Sequence, residues 1–143
     1  MSKVSIDVLD YDYTSGCKFY ASYESTETFI VQVIPNNEFE LFSHQNQTDQ
    51  LILVNGSCNL IWIENEKFKS YTLHSNSPLV VTIPPNIWHG TLNHTTKPCT
   101  IVNALIRHAP PAENDYVPKK LEDLSLKQQE QYDTLLKILK FSA

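Results

Sequence analysis

His44, Asp49 and His89 are the residues of this chain whose types suit proton chemistry. An imidazole titrates near neutrality, so it can take a proton from one atom and return it to another. A nearby carboxylate such as Asp49 can fix the tautomer of the ring and raise its basicity. Shifting a carbonyl to the next carbon, or inverting the carbon beside one, calls for this pairing. A base must form an enediol or enolate, and an acid must then return a proton at the new position. His89 has the most informative setting, the run Ile83-Pro84-Pro85-Asn86-Ile87-Trp88-His89-Gly90-Thr91-Leu92-Asn93. The two prolines lack N–H donors, so the preceding ladder stops there or lies at an edge. Asn86 tolerates positive φ and suits a tight turn. Residues 87–93 then resume as a strand on which His89, Thr91 and Asn93 share one face. His44 and Asp49 lie on opposite sides of a turn and need tertiary closure to meet.

The elements that must position these side chains are short strands. The sequence predicts them over 5–9, 18–23, 28–34, 38–43, 50–54, 59–63, 68–73, 79–83, 87–93 and 100–107, rich in Val, Ile, Phe, Tyr and Thr. Turn clusters such as Pro35-Asn36-Asn37, Asn55-Gly56-Ser57 and Glu64-Asn65-Glu66 break them. So many short, regularly spaced strands indicate a sandwich or barrel. With only three glycines in the chain, Asn is expected to take several positive-φ turn positions. From His108 to Tyr116 the chain reads as a loop whose prolines block further pairing. Ser125 and Gln128 form a capping-box pattern that opens a helix. Tyr132, Leu135, Leu136 and Leu139 give that helix an apolar stripe for the barrel wall.

Composition narrows the function classes. At 143 residues and 41% apolar content, one domain spanning 1–143 with a real core is expected. A net charge of −5 and the lack of a Lys/Arg cluster argue against a nucleic-acid partner. No apolar run is long enough to span a bilayer, and the first residues carry no signal-peptide core, so a cytoplasmic protein without membrane association is expected. The sequons at Asn46, Asn55 and Asn93 are then idle. Cys17, Cys58 and Cys99 are read as free, buried thiols, far apart in sequence.

Two stretches carry a family resemblance. Phe42-Ser43-His44, with Asp49 and Gly56 following at intervals, resembles the first cupin motif of His-x-His, Glu and Gly. Pro78 to Asn93 resembles the second, with Pro84, His89 and Asn93 matching and Pro78 and Asn86 in place of two glycines. Ile83-Pro84-Pro85-Asn86-Ile87-Trp88-His89 and Glu113-Asn114-Asp115-Tyr116-Val117 are similar to runs in the dTDP-4-oxo-6-deoxyhexose 3,4-ketoisomerases. Ile83-Pro84-Pro85 and His89-Gly90 more distantly resemble the dTDP-4-dehydrorhamnose 3,5-epimerases. The resemblance implies an all-β cupin double-stranded β-helix (jelly-roll) barrel over about 28–107, with one C-terminal α-helix over about 125–140. It also implies a homodimer that isomerises or epimerises a nucleotide-linked 4-keto-deoxy sugar by enediol or enolate chemistry. Such enzymes need no metal and serve cell-surface glycan biosynthesis. Two departures stand out: Phe42 replaces the first His of the motif, and Val102 and Asn103 lie where the epimerases carry a Tyr.

On this template His44 is the expected base, Asp49 its orienting carboxylate, and His89 the group that polarises the carbonyl. Trp62, Tyr71, Trp88, Asn93 and Asp115 are the expected substrate contacts. Two alternatives remain open. His44, Asp49 and His89 could form a facial triad for one divalent ion such as Fe(II), Mn(II) or Zn(II). Otherwise the barrel binds a small ligand without catalysis, with Trp62, Trp88 and Tyr71 as stacking surfaces. His74, His94 and His108 are expected in turns or loops, with His108 able to rim the pocket.

Overall fold

The computed structural model describes residues 3–76 and 78–142. Its strands are β1 (Ser5–Val8), β2 (Tyr11–Thr14), β3 (Cys17–Tyr20), β4 (Glu27–Val33), β5 (Leu41–His44), β6 (Gln47–Asn55), β7 (Ser57–Glu64), β8 (Lys67–His74), β9 (Leu79–Ile83), β10 (His89–Leu92), β11 (Cys99–Arg107) and β12 (Tyr116–Lys119). A 3₁₀ turn at Leu121–Asp123 leads to the helix α1 (Leu126–Ser142). One five-stranded sheet has the order β1-β9-β6-β11-β4, and the other β12-β5-β10-β7-β8. The strands pair antiparallel, as in β11 on β6, where Asn103 faces Leu51, and in β10 on β7, where His89 faces Trp62. This is the cupin barrel, with β2 and β3 forming a separate hairpin.

Alternation fills the space between the sheets. Leu51 and Leu53 of β6, Cys58, Leu60 and Trp62 of β7, and Ile101 of β11 project into one core. On the other side of β7, Ile61 and Leu92 meet Leu139, Leu135 and Leu136 of α1. The stripe expected on the helix therefore does pack on the barrel wall, with the Tyr132 ring stacked on Phe68 at 5.5 Å. The capping box forms as well: the Gln128 amide donates to Ser125 Oγ, and Ser125 N–H donates to Gln128 Oε1. Asn36, Asn65 and Asn86 adopt positive φ. Asn65 and Glu66 do so together, which gives the β7–β8 hairpin a tight two-residue turn.

Four local expectations need correction. The β2 strand was not predicted; its Asp and Tyr residues lie on an exposed hairpin with no core face to leave a pattern. Tyr116–Lys119 is a strand rather than the tail of a loop. Pro118 is tolerated because β12 is the outer strand of its sheet. The strand expected over 87–93 begins only at His89, because the Pro85-Asn86 turn sends the Asn86 N–H to the His44 carbonyl at 2.7 Å. Cys17 is exposed, whereas Cys58 and Cys99 are buried and meet in the core. Burial pushes the Cys58 thiol well above its ordinary range, so the pair is inert packing.

Candidate active site

The inward faces of β4, β5, β6, β10 and β11 leave a cavity of about 460 Å³ open to solvent. Along β6 the period-two pattern aims Gln47, Asp49 and Leu51 into it, and along β11 it aims Ile101, Asn103 and Arg107. Phe42 and His44 reach it from β5, His89 and Thr91 from β10, and Phe29 and Val31 from β4. The segment around Pro111 and Ala112 closes one side and brings Asp115 and Tyr116 to the rim.

His44 is held from behind. Its Nδ1 lies 3.0 Å from Asp115 Oδ2. The other Asp115 oxygen accepts the Asn46 N–H at 2.7 Å, and the Asp115 carbonyl accepts the Gln45 N–H. With Asp115 as acceptor, the proton belongs on Nδ1, so Nε2 presents its lone pair to the cavity. The nearest charged atom to Nε2 is Asp49 Oδ2, at 3.9 Å, beyond a hydrogen bond. This leaves His44 with one anchored nitrogen and one open nitrogen, the geometry of a general base.

His89 is arranged differently. Its Nδ1 lies 2.8 Å from the Ile87 carbonyl and its Nε2 3.1 Å from Asp49 Oδ2. Both partners are acceptors, so both ring nitrogens donate, and the ring is a buried cation beside a buried anion. Asp49 Oδ1 accepts from Gln47 Nε2 at 2.6 Å and Asn103 Nδ2 at 3.0 Å. Burial by itself would raise the Asp49 pKa, but His89, Asn103 and Gln47 together hold it below the ordinary carboxylate value. Asn103 Oδ1 in turn accepts the Gln50 N–H at 3.0 Å. Arg107 Nη1 reaches Gln47 Oε1 at 3.2 Å, and Arg107 Nε donates to Glu27 at 2.6 Å. The result is a fixed polar floor.

The structure thus brings His44, Asp49, His89 and Asp115 together, with the pairings changed. The carboxylate on His44 is Asp115, while Asp49 belongs to His89. His89 has no free N–H with which to polarise a carbonyl. The other expected substrate contacts stand outside the cavity wall. Trp62 is part of the core, Tyr71 lies on the outer strand β8 and is exposed, and Trp88 is covered by Lys119 Nζ at 5.2 Å. Asn93 is fully buried, donating to the Val33 and Lys97 carbonyls and accepting from Thr95, so it holds a turn. His108 bonds Thr48 at the surface and does not line the cavity. Gln47 and Arg107 are not among the expected site residues, and Asn103 figures only as lying where the epimerases carry a Tyr. Asn103 and Arg107 share the face of Ile101 on the predicted 100–107 strand, whereas Gln47 and Asp49 precede the predicted 50–54 strand and β6 in fact begins at Gln47.

The donor set does not suit a divalent ion. Both His89 nitrogens and both Asp49 oxygens are already engaged. The Phe42 ring stands 4.6 Å from the His89 ring, where a further ligand would belong. Among the described residues, no group of three His, Cys, Asp or Glu side chains is placed to hold a metal.

Comparison with known proteins agrees with this architecture. A variant of the QdtA 3,4-ketoisomerase from Thermoanaerobacterium thermosaccharolyticum, in complex with TDP-4-keto-6-deoxyglucose, superposes with a TM-score of 0.67 over 92% of this chain and 98% of that one, at 13% identity. The WlaRB TDP-quinovose 3,4-ketoisomerase from Campylobacter jejuni gives a TM-score of 0.67 at 16% identity, covering 82% of this chain and 93% of its own. A dTDP-4-dehydrorhamnose 3,5-epimerase from Elizabethkingia anophelis NUHP1 gives 0.65 at 12% identity, covering 79% and 73%. At these identities the likeness shows the shared fold. No match was found among curated proteins. Residues 17–125 match the family model described as WxcM-like, C-terminal, a span that contains β3 to β12 and with them His44, Asp49, His89 and Asp115. The chain is a cupin-fold member of that family, FdtA.

Proposed function

We propose that this protein is an isomerase or epimerase of a nucleotide-linked 4-keto-deoxy sugar, working through an enediol or enolate. The observation that carries the reading is His44: Nδ1 on Asp115 at 3.0 Å and Nε2 open to a cavity of sugar size. In this reading Nε2 takes the proton from the carbon beside the ketone and returns it at the acceptor carbon. Asp115 holds the tautomer and stabilises the imidazolium that forms. The His89–Asp49 pair below is a positioning element that fixes the cavity floor and places charge near the developing enolate. Arg107, the basic side chain on the cavity wall, is the contact for a diphosphate. Solved proteins of this fold were crystallised with TDP-4-keto-6-deoxyglucose or TDP, which supports the same ligand class here.

The active species is a homodimer. The outer face of β4 exposes Ile30 at 74%, and its cavity-lining neighbours Phe29 and Val31 are half exposed, an apolar edge suited to a second copy. Its product would serve cell-surface glycan assembly. The test is incubation of the purified protein with TDP-4-keto-6-deoxyglucose, followed by proton NMR of the sugar. A ketone moved to the neighbouring carbon or an inverted carbon is expected from the native protein, and neither from His44→Asn. An unchanged sugar with native protein refutes the reading.

A further inference from the structure

The cavity face of β5 and β12 carries one aromatic row. Phe42 lies between the His89 ring at 4.6 Å and the Tyr116 ring at 5.3 Å, and Tyr116 pairs in register with His44. The His44 and Tyr116 rings are 6.1 Å apart. The Tyr116 hydroxyl donates to Glu40, an exposed residue just before β5.

Ketone migration on an α-hydroxy ketone moves two protons. One leaves the α-carbon and arrives at the former carbonyl carbon. The other leaves the α-hydroxyl and arrives at the former carbonyl oxygen. His44 can carry the first. The second needs another group, and the place of the motif's other histidine is filled by Phe42, which cannot titrate. His89 is tied at both nitrogens, and Asp49 and Asp115 are tied as acceptors. Among the titratable groups on the cavity wall, the Tyr116 phenol differs in that its partner, Glu40, is an exposed carboxylate outside the cavity.

We propose that Tyr116, positioned by Glu40, is the second proton carrier of this site. The inference rests on the isomerase reading above. His44 first removes the carbon-bound proton, leaving an enediolate, and the Tyr116 hydroxyl then gives its proton to the former carbonyl oxygen to complete the enediol. The resulting phenolate takes the proton of the neighbouring hydroxyl as the imidazolium protonates the former carbonyl carbon. Both groups end as they began, and no co-reactant is consumed. Partial burial and the Glu40 carboxylate push the Tyr116 hydroxyl up to about 12, so it holds its proton at neutral pH, as an acid for an enolate oxygen must.

The test measures two rates on TDP-4-keto-6-deoxyglucose in heavy water: deuterium uptake at the α-carbon and ketone migration. Tyr116→Phe should keep uptake within about threefold of native while migration falls about 100-fold or more, the usual scale of an acid–base group. Glu40→Ala should depress migration about tenfold with uptake intact, and Glu40→Gln, which still accepts the hydroxyl proton, should recover most of it. Glu40 lies at the surface, so this pair decides the matter if Tyr116→Phe fails to fold. If both rates fall together, or neither changes, Tyr116 is not the carrier. If the native protein takes up no deuterium, the isomerase reading fails first and this inference with it.

Discussion

Replacing Asp49 tests the polar floor, because the two obvious substitutions should differ. Asp49→Ala strips the acceptor from Gln47 Nε2, Asn103 Nδ2 and His89 Nε2 at once and leaves a buried imidazolium unpaired. Breaking a buried ion pair from one side costs about 3–5 kcal/mol. Asp49→Asn keeps an oxygen for Gln47 and Asn103, and its amide can donate to a His89 ring that has shed one proton. The remaining loss is the difference between charged and neutral hydrogen bonds, about 1–2 kcal/mol. In urea, with a slope of about 2 kcal/mol/M, the midpoints should drop by about 2 M and about 0.5–1 M respectively. The pH dependence has a definite sign. The folded-state pKa of Asp49 lies below its ordinary 3.8, so its contribution is present above that value and fades as pH falls through the folded pKa. The gap between native and Asp49→Asn should therefore narrow below about pH 3.8. Equal midpoints for the two variants at pH 7, or a gap that widens in acid, would refute the network.

Three further outcomes follow from the geometry. A Cβ at Gly90 would overlap the Glu40 carbonyl and stand 2.7 Å from Phe39 Cε2. Gly90→Ala should thus cost about 3 kcal/mol, the upper part of the overpacking range, visible as a lowered thermal midpoint. Asn86 sits at φ 67° in the turn before His89, so Asn86→Ala should lose about 1 kcal/mol while Asn86→Gly stays near native in the same melt. Prolonged dialysis against EDTA should leave turnover of the sugar unchanged, since the histidine and carboxylate donors of the cavity floor are committed to one another.

The barrel was legible because its strands alternate and its turns are marked by Pro and Asn, and α1 because Ser125, Gln128 and the leucine stripe agree. What could not be read was partnership across the fold. Asp49 is five residues from His44 and Asp115 is 71, yet the β12–β5 ladder makes the distant carboxylate the partner of His44. Asn103 looks like an ordinary polar residue on a strand until β11 lies against β6 and its amide meets Asp49. Trp62 and Trp88 show why aromatic identity is a poor guide to ligand contact. Trp62 faces the core from β7, and Trp88 stands just before β10 beneath Lys119.

Deuterium uptake from solvent is the most direct measurement of the central claim, that His44 Nε2 acts as a base in this cavity. TDP-4-keto-6-deoxyglucose incubated with native protein in heavy water should gain deuterium on the carbon next to its ketone. His44→Asn should abolish that gain while the sugar nucleotide still binds. Tight binding by the native protein with no deuterium uptake over hours would contradict the account and leave a protein that only holds its ligand.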